Sequence, residues 1–173
     1  MGRARIVARI FDGTEMTPDR FMELALLPAL HLLPANMDSP AARAMLIAIA
    51  LQESRMIHRR QIGGPAHGYW QFEQGGDVRG VLTHPASKPH IQTVLSELDY
   101  AYDSDAGECY IAIEHNDILA AAFARLLLYT LPDALPARNA PGSGWSQYLK
   151  AWRPGKPHRD TWDAFYEQAW EMV

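Results

Sequence analysis

The sequence predicts a mainly α, single-domain protein. Three observations carry this: apolar residues recur at helical spacing along most of the chain, Ser/Thr/Asn-type caps with prolines mark helix starts, and runs of β-branched residues are few. At 173 residues the chain fits one domain with a sizeable core. It is 48% hydrophobic and 21% charged, with a net charge of −4. That balance is of a globular protein and argues against broad binding to nucleic acid or anionic lipid, which requires a basic face. The lone Cys109 cannot form an intrachain disulfide, so the fold is expected not to rely on an oxidising compartment.

Residues 1–16 read as an N-terminal extension. Its basic start is interrupted by Arg9, Asp12 and Glu15 before any apolar run reaches the length of an export signal. No stretch approaches the ~20 apolar residues of a membrane span. Thr17-Pro18-Asp19 then supplies a cap, a first-turn proline and a favourable charge for a helix carrying Leu24, Leu27, Leu30 and Leu33. Pro28 is expected to kink or split it, and Pro34 to end it. Ser39-Pro40 repeats the start signal. From Ala41 to Ser54 a helix follows that is apolar almost all round, the pattern of a buried central helix.

Between Gly63 and Gly80, glycines are interleaved with Tyr69, Trp70 and Phe72, which predicts a loop or small β-ribbon with Tyr69 to Phe72 as a short strand. A helix is expected from Pro89 to Tyr100. Another, capped by Asn116 or Asp117, runs to about Leu131. A Pro- and Gly-rich connection follows from Pro132 to Gly144. The chain ends in an aromatic helix (Trp145, Tyr148, Trp152), a turn at Pro154-Gly155, and a last helix whose Trp162, Phe165, Tyr166 and Trp170 share helical spacing and read as core.

Glu53 is the residue with candidate chemistry. It stands in the last turn of the most apolar helix, where the negative end of the helix dipole and apolar surroundings both favour a protonated carboxyl. Such a group suits a general acid. The alternative is an ordinary ion pair with Arg55, Arg59 or Arg60. Those arginines and His58 can meet substrate carboxylates, or simply stabilise a helix end. The basic turn from Trp152 to Arg159 is either a binding surface or a tight connection between two helices.

The neighbourhood of Glu53 carries a resemblance. Ala48-Ile49-Ala50-Leu51-Gln52-Glu53-Ser54-Arg55, followed by Gly64-Pro65-Ala66-His67-Gly68-Tyr69-Trp70-Gln71-Phe72, resembles the lysozyme superfamily in its goose-type lysozyme and soluble lytic transglycosylase branch. In that branch a buried helix ends in Glu-Ser and a downstream segment reads Gly-apolar-apolar-Gln-apolar. The likeness is strongest over 41–74. It implies a lysozyme-like fold and cleavage of peptidoglycan between N-acetylmuramic acid and N-acetylglucosamine, with Glu53 as acid. It implies Ser54 as an orienting residue, Gly68 as a site of close backbone approach, and Tyr69, Trp70 and Gln71 as cleft floor. Glu73 is the candidate second carboxylate, with Asp77 also available; the number of working carboxylates decides between hydrolase and transglycosylase. The tyrosine motif of lytic transglycosylases is absent, and Tyr129, followed by Thr130, is the nearest candidate.

The resemblance further implies bacterial peptidoglycan as partner, no cofactor, and a bacteriophage-encoded protein made in the host cytoplasm and acting in the wall, released at lysis or packaged with other virion proteins. A non-catalytic lysozyme-like virion or tail protein is the runner-up. A helical interaction module in which Glu53 is ordinary is the third reading. The histidines show no zinc spacing, and no P-loop or dinucleotide fingerprint is present.

Overall fold

The computed structural model describes residues 16–173; the expected N-terminal extension lies, apart from Met16, outside the described residues. Among the described residues the architecture is helical, with no β-sheet. The elements are α1 (Pro18–Phe21), α2 (Leu27–His31), α3 (Pro40–Ser54), α4 (Arg79–Thr83), α5 (Lys88–Glu97), α6 (Ala106–His115), α7 (Asp117–Tyr129), α8 (Pro141–Trp152) and α9 (Arg159–Glu171). Among the described residues no helix is long and apolar enough to cross a membrane.

The expected caps form. Thr17, Ser39 and Asn116 accept from the N–H groups of Arg20, Ala42 and Leu119, satisfying donors that a helix start leaves open. The helix expected to kink or split at Pro28 is divided into α1 and α2, with Pro28 in the first turn of α2. A π-helical turn at Met22–Leu26 precedes it, in which Leu27 N–H reaches back to Met22 O. A widened turn of this kind accommodates a residue that cannot donate.

Two helices form the centre. In α3 every residue from Ala44 to Ala50 is completely buried, and in α7 burial runs from Leu119 to Leu128. α9 and α7 pack on α3, while α2, α4, α5, α6 and α8 gather around α7. The aromatic C-terminus closes the core as expected, with Trp162 and Tyr166 buried and Phe165 and Trp170 packed against it.

The sequence reading needs four corrections. Tyr69 to Phe72 is not a strand: Gly68–Gln71 form a tight turn closed by paired hydrogen bonds between His67 and Phe72 (3.0 and 2.8 Å). The glycine-rich segment contains a π-helical turn (Gln74–Val78) running into α4. Helix α6 was not anticipated, although Asp105 and Glu108 form a reciprocal capping box at its start. The connection after Pro132 ends earlier than expected, since α8 begins at Pro141 and includes Gly144. A Cβ at Gly144 would come within 2.7 Å of the Tyr166 ring.

Gly68 is the glycine on which the turn depends. Its φ is +74°, and a Cβ there would lie 2.9 Å from the Ile113 side chain. Gly68→Ala therefore combines left-handed strain with overpacking and is expected to cost about 2–3 kcal/mol. Urea denaturation of the variant beside the wild type measures this.

Candidate active site

An open cleft of about 1110 Å³ is lined by Glu53, Gln71, Glu73, Asp77 and Tyr148 among others. Its geometry starts at the end of α3. The helix stops because Arg55 turns left-handed (φ 56°) and Met56 repeats the conformation. Just before that reversal, the last helical turn directs Glu53 to the cleft while Ser54 stays buried.

Ser54 is a structural tie. Its hydroxyl donates to Tyr69 O (2.7 Å), lies 3.1 Å from Ala50 O, and accepts from Met56 N–H (3.2 Å). It thus joins the helix end to the turn that carries Gln71. Gly68 and Trp70 complete the junction. The Trp70 indole donates to Leu46 O (2.9 Å), and Trp152 of α8 donates to Trp70 O (2.8 Å). α3, the turn and α8 are fixed together by this chain of donors.

The expected cleft floor is accordingly corrected. Tyr69 and Trp70 are buried at 1% and 0% exposure and belong to the core. Their rings are removed from water because α3, α8 and α1 cover them; Phe21 of α1 packs on both. Gln71 alone of that trio reaches the cleft, held by its Nε2 donating to Gly68 O (2.8 Å). Its φ of 51° turns it away from its buried neighbours.

Tyr129 does not face Glu53. It lies 37% exposed, edge-on to His90 and beneath the Arg125 guanidinium. Tyr148 of α8 supplies the hydroxyl instead, donating to Glu53 Oε1 at 2.5 Å. Tyr148 was legible in the sequence only as one of several helical aromatics. It is held by a parallel stack on Trp162, with centroids 5.3 Å apart, and by Trp145.

Burial pushes the Glu53 carboxyl up to about 7, the Tyr148 hydrogen bond pulls it down, and the negative charge of Asp77 pushes it up further. Asp77 is itself raised to about 6, mainly by burial, with the Glu73 N–H (3.1 Å) stabilising its anion, Glu73 repelling it, and Arg153 attracting it. Glu73, the carboxylate favoured from sequence, lines the cleft but is exposed. Asp77 is the carboxylate whose charge reaches Glu53. The acid–base content of the cleft is a carboxyl protonated to near neutrality facing one that ionises earlier.

The arginines proposed as ion-pair partners of Glu53 are engaged elsewhere. Arg55 lies over the Phe165 ring (4.2 Å), Arg59 pairs through two hydrogen bonds with Asp117, and Arg60 is 3.8 Å from Glu114. No three His, Cys, Asp or Glu side chains among the described residues gather as a metal-binding group.

The raised carboxyl has a stability consequence. The unfolded chain releases the Glu53 proton near 4.5 and the folded protein near 7, so between those values the folded state holds more protons and stability falls as pH rises. Glu53→Gln keeps an acceptor for Tyr148 and removes the ionisation. It is expected to be more stable than wild type above pH 7 by about 2–3 kcal/mol, the gap closing below pH 4.5; urea titrations at several pH values read it directly. In Tyr148→Phe the acceptor loses its donor, so the Glu53 carboxyl should titrate above 7, as carboxyl-carbon NMR would detect. The chain matches no known protein family, no curated protein and no solved structure.

Proposed function

We propose that this protein cleaves the glycan strands of bacterial peptidoglycan between N-acetylmuramic acid and N-acetylglucosamine, with Glu53 as general acid and then base. One observation carries the reading. A carboxyl kept protonated to about pH 7 lies in an open cleft, oriented by a tyrosine hydroxyl and faced by a second carboxylate. The resemblance of 41–74 to goose-type lysozymes and lytic transglycosylases supplies the substrate class.

In this mechanism Glu53 gives its proton to the glycosidic oxygen as the bond to the muramic anomeric carbon breaks. The leaving N-acetylglucosamine departs with a hydroxyl. Positive charge grows on the muramic ring, and the Asp77 carboxylate stabilises it through the cleft. The Glu53 carboxylate then removes a proton from the incoming nucleophile, whose oxygen bonds the anomeric carbon. Water gives a reducing end; the muramic 6-hydroxyl gives a 1,6-anhydro end. Gln71 is available to hydrogen-bond the sugar beside this centre.

The test is mass spectrometry of purified peptidoglycan digested by wild type, Glu53→Gln, Asp77→Asn and Glu73→Gln. Glu53→Gln is expected to lose turnover by about 10³-fold or more while remaining folded. Anhydro ends that vanish in that variant identify a transglycosylase, and reducing ends a hydrolase. Intact glycan with the wild type across pH 4–9 would reject the reading and favour the virion structural role. Activity should also follow a narrow bell, with limbs near pH 6 for Asp77 and near pH 7 for Glu53. In Asp77→Asn the acid limb should disappear and the basic limb move down, since the charge that raises Glu53 is gone.

A further inference from the structure

The cleft lining carries both signs of charge. Glu53, Glu73 and Asp77 are its carboxyl groups; Lys150 near the end of α8, and Arg153, Lys156 and His158 of the α8–α9 turn, are its basic residues. In a chain of net charge −4, such a basic cluster is a local feature that needs a reason.

The cations of this region fall into two groups. Lys150 is paired with Asp133 (2.8 Å), and Arg159 with Asp163 (2.7 Å). Arg153 and Lys156 are exposed, and among the described residues neither has a carboxylate within ion-pair distance. The basic residues after Glu53 are occupied, as described above, and do not line the cleft. Among the described residues that line the cleft, Arg153, whose charge also acts on Asp77, and Lys156 are the arginine and lysine outside an ion pair and so can meet a molecule lying there.

The turn is also built to hold that charge in place. Arg153 caps α8 in the left-handed conformation (φ 48°, ψ 48°). Glycine ordinarily fills this position because it has no Cβ to crowd, so an arginine here retains strain that a glycine would relieve. Pro154 follows and stiffens the chain. Gln52, the residue before Glu53, clips the far end: its Nε2 donates to His158 O (2.9 Å), and Thr161 donates to its Oε1 (3.0 Å). The cationic turn is thus tied by one side chain to the helix end that bears the acid.

We infer that the α8–α9 turn is a subsite for a carboxylate-bearing substituent of the glycan, with Arg153 and Lys156 as its ligands. This inference rests on the proposed glycan cleavage and adds a selection rule to it: acidic strands are bound in preference to neutral ones. Carboxylates reach such a glycan from two sources, the lactyl group of the sugar when its peptide is absent and the attached peptide when it is present. Both present the same chemistry to a guanidinium and an ammonium.

The experiment is calorimetric titration of Glu53→Gln with soluble peptidoglycan strands at low salt. Three ligands are compared: strands with peptides, strands stripped of peptides, and peptide-bearing strands whose carboxylates have been amidated. Glu53→Gln should bind the free-carboxylate strands about tenfold more tightly than the amidated ones, and the preference should shrink as salt rises. In Glu53→Gln/Arg153→Gly/Lys156→Ala the preference should fall to about onefold, and because glycine suits the cap, the thermal midpoint should not drop. A larger loss with peptide-bearing than with stripped strands assigns the peptide as the source; the reverse assigns the lactyl group.

A preference absent in Glu53→Gln, or unchanged in the triple variant, overturns the subsite while glycan cleavage by the wild type stands. If the wild type cuts no strand and no strand binds, the proposed function fails and takes the subsite with it.

Discussion

A carboxyl at the end of a helix buried from Ala44 to Leu51 is the constraint around which the rest of the molecule is arranged. α3 has no polar face, so it must lie at the centre, and its final turn is the place where that centre meets solvent. Glu53 sits at this boundary. Withdrawing it from water opposes its ionisation, and its hydrogen-bond partner among the described residues is a neutral donor, the Tyr148 hydroxyl, not a cation. Pairing with an arginine would have given a more stable charge and a useless acid. The surrounding arginines are instead held by Asp117, Glu114 and the Phe165 ring.

Keeping Tyr148 on Glu53 requires α8 to be located accurately against α3. The donor chain from Trp152 through Trp70 to Leu46 performs this, and the stack of Tyr148 on Trp162 brings α9 into the same assembly. The residues that looked like a binding floor are thereby explained as a hinge-pin of the core. Trp70 links two helices with one carbonyl and one indole, and Tyr69 offers its carbonyl to Ser54 while its ring packs under Arg59. Their burial exposes the one polar member of the turn, Gln71, to the cleft.

The distribution of charge follows from the same placement. The π-helical turn at Gln74–Val78 puts Asp77 where its field reaches Glu53, and the α8–α9 turn brings positive charge to the same cleft. Arg153 is felt by Asp77, so the charges of both signs form one electrostatic site, and the field within a low-dielectric cleft sets the protonation states of its groups.

Most of the helices were legible because their signals are local, although α6, with its Asp105–Glu108 capping box, and the short α4 were not. Thr17-Pro18, Ser39-Pro40 and Asn116 state where helices begin, and the unbroken apolar run of 44–51 states that one of them is central. Glu53 was legible for the same reason, as a carboxylate whose own helix makes it conspicuous. Pairings across the chain were not. That Tyr148 and not Tyr129 meets Glu53, that Asp77 and not Glu73 shares its field, and that Tyr69 and Trp70 turn inward are outcomes of packing between segments far apart in sequence. Helical periodicity assigns a side chain to a face of its own helix; which neighbour that face meets is decided only when α3, α7, α8 and α9 close around one core.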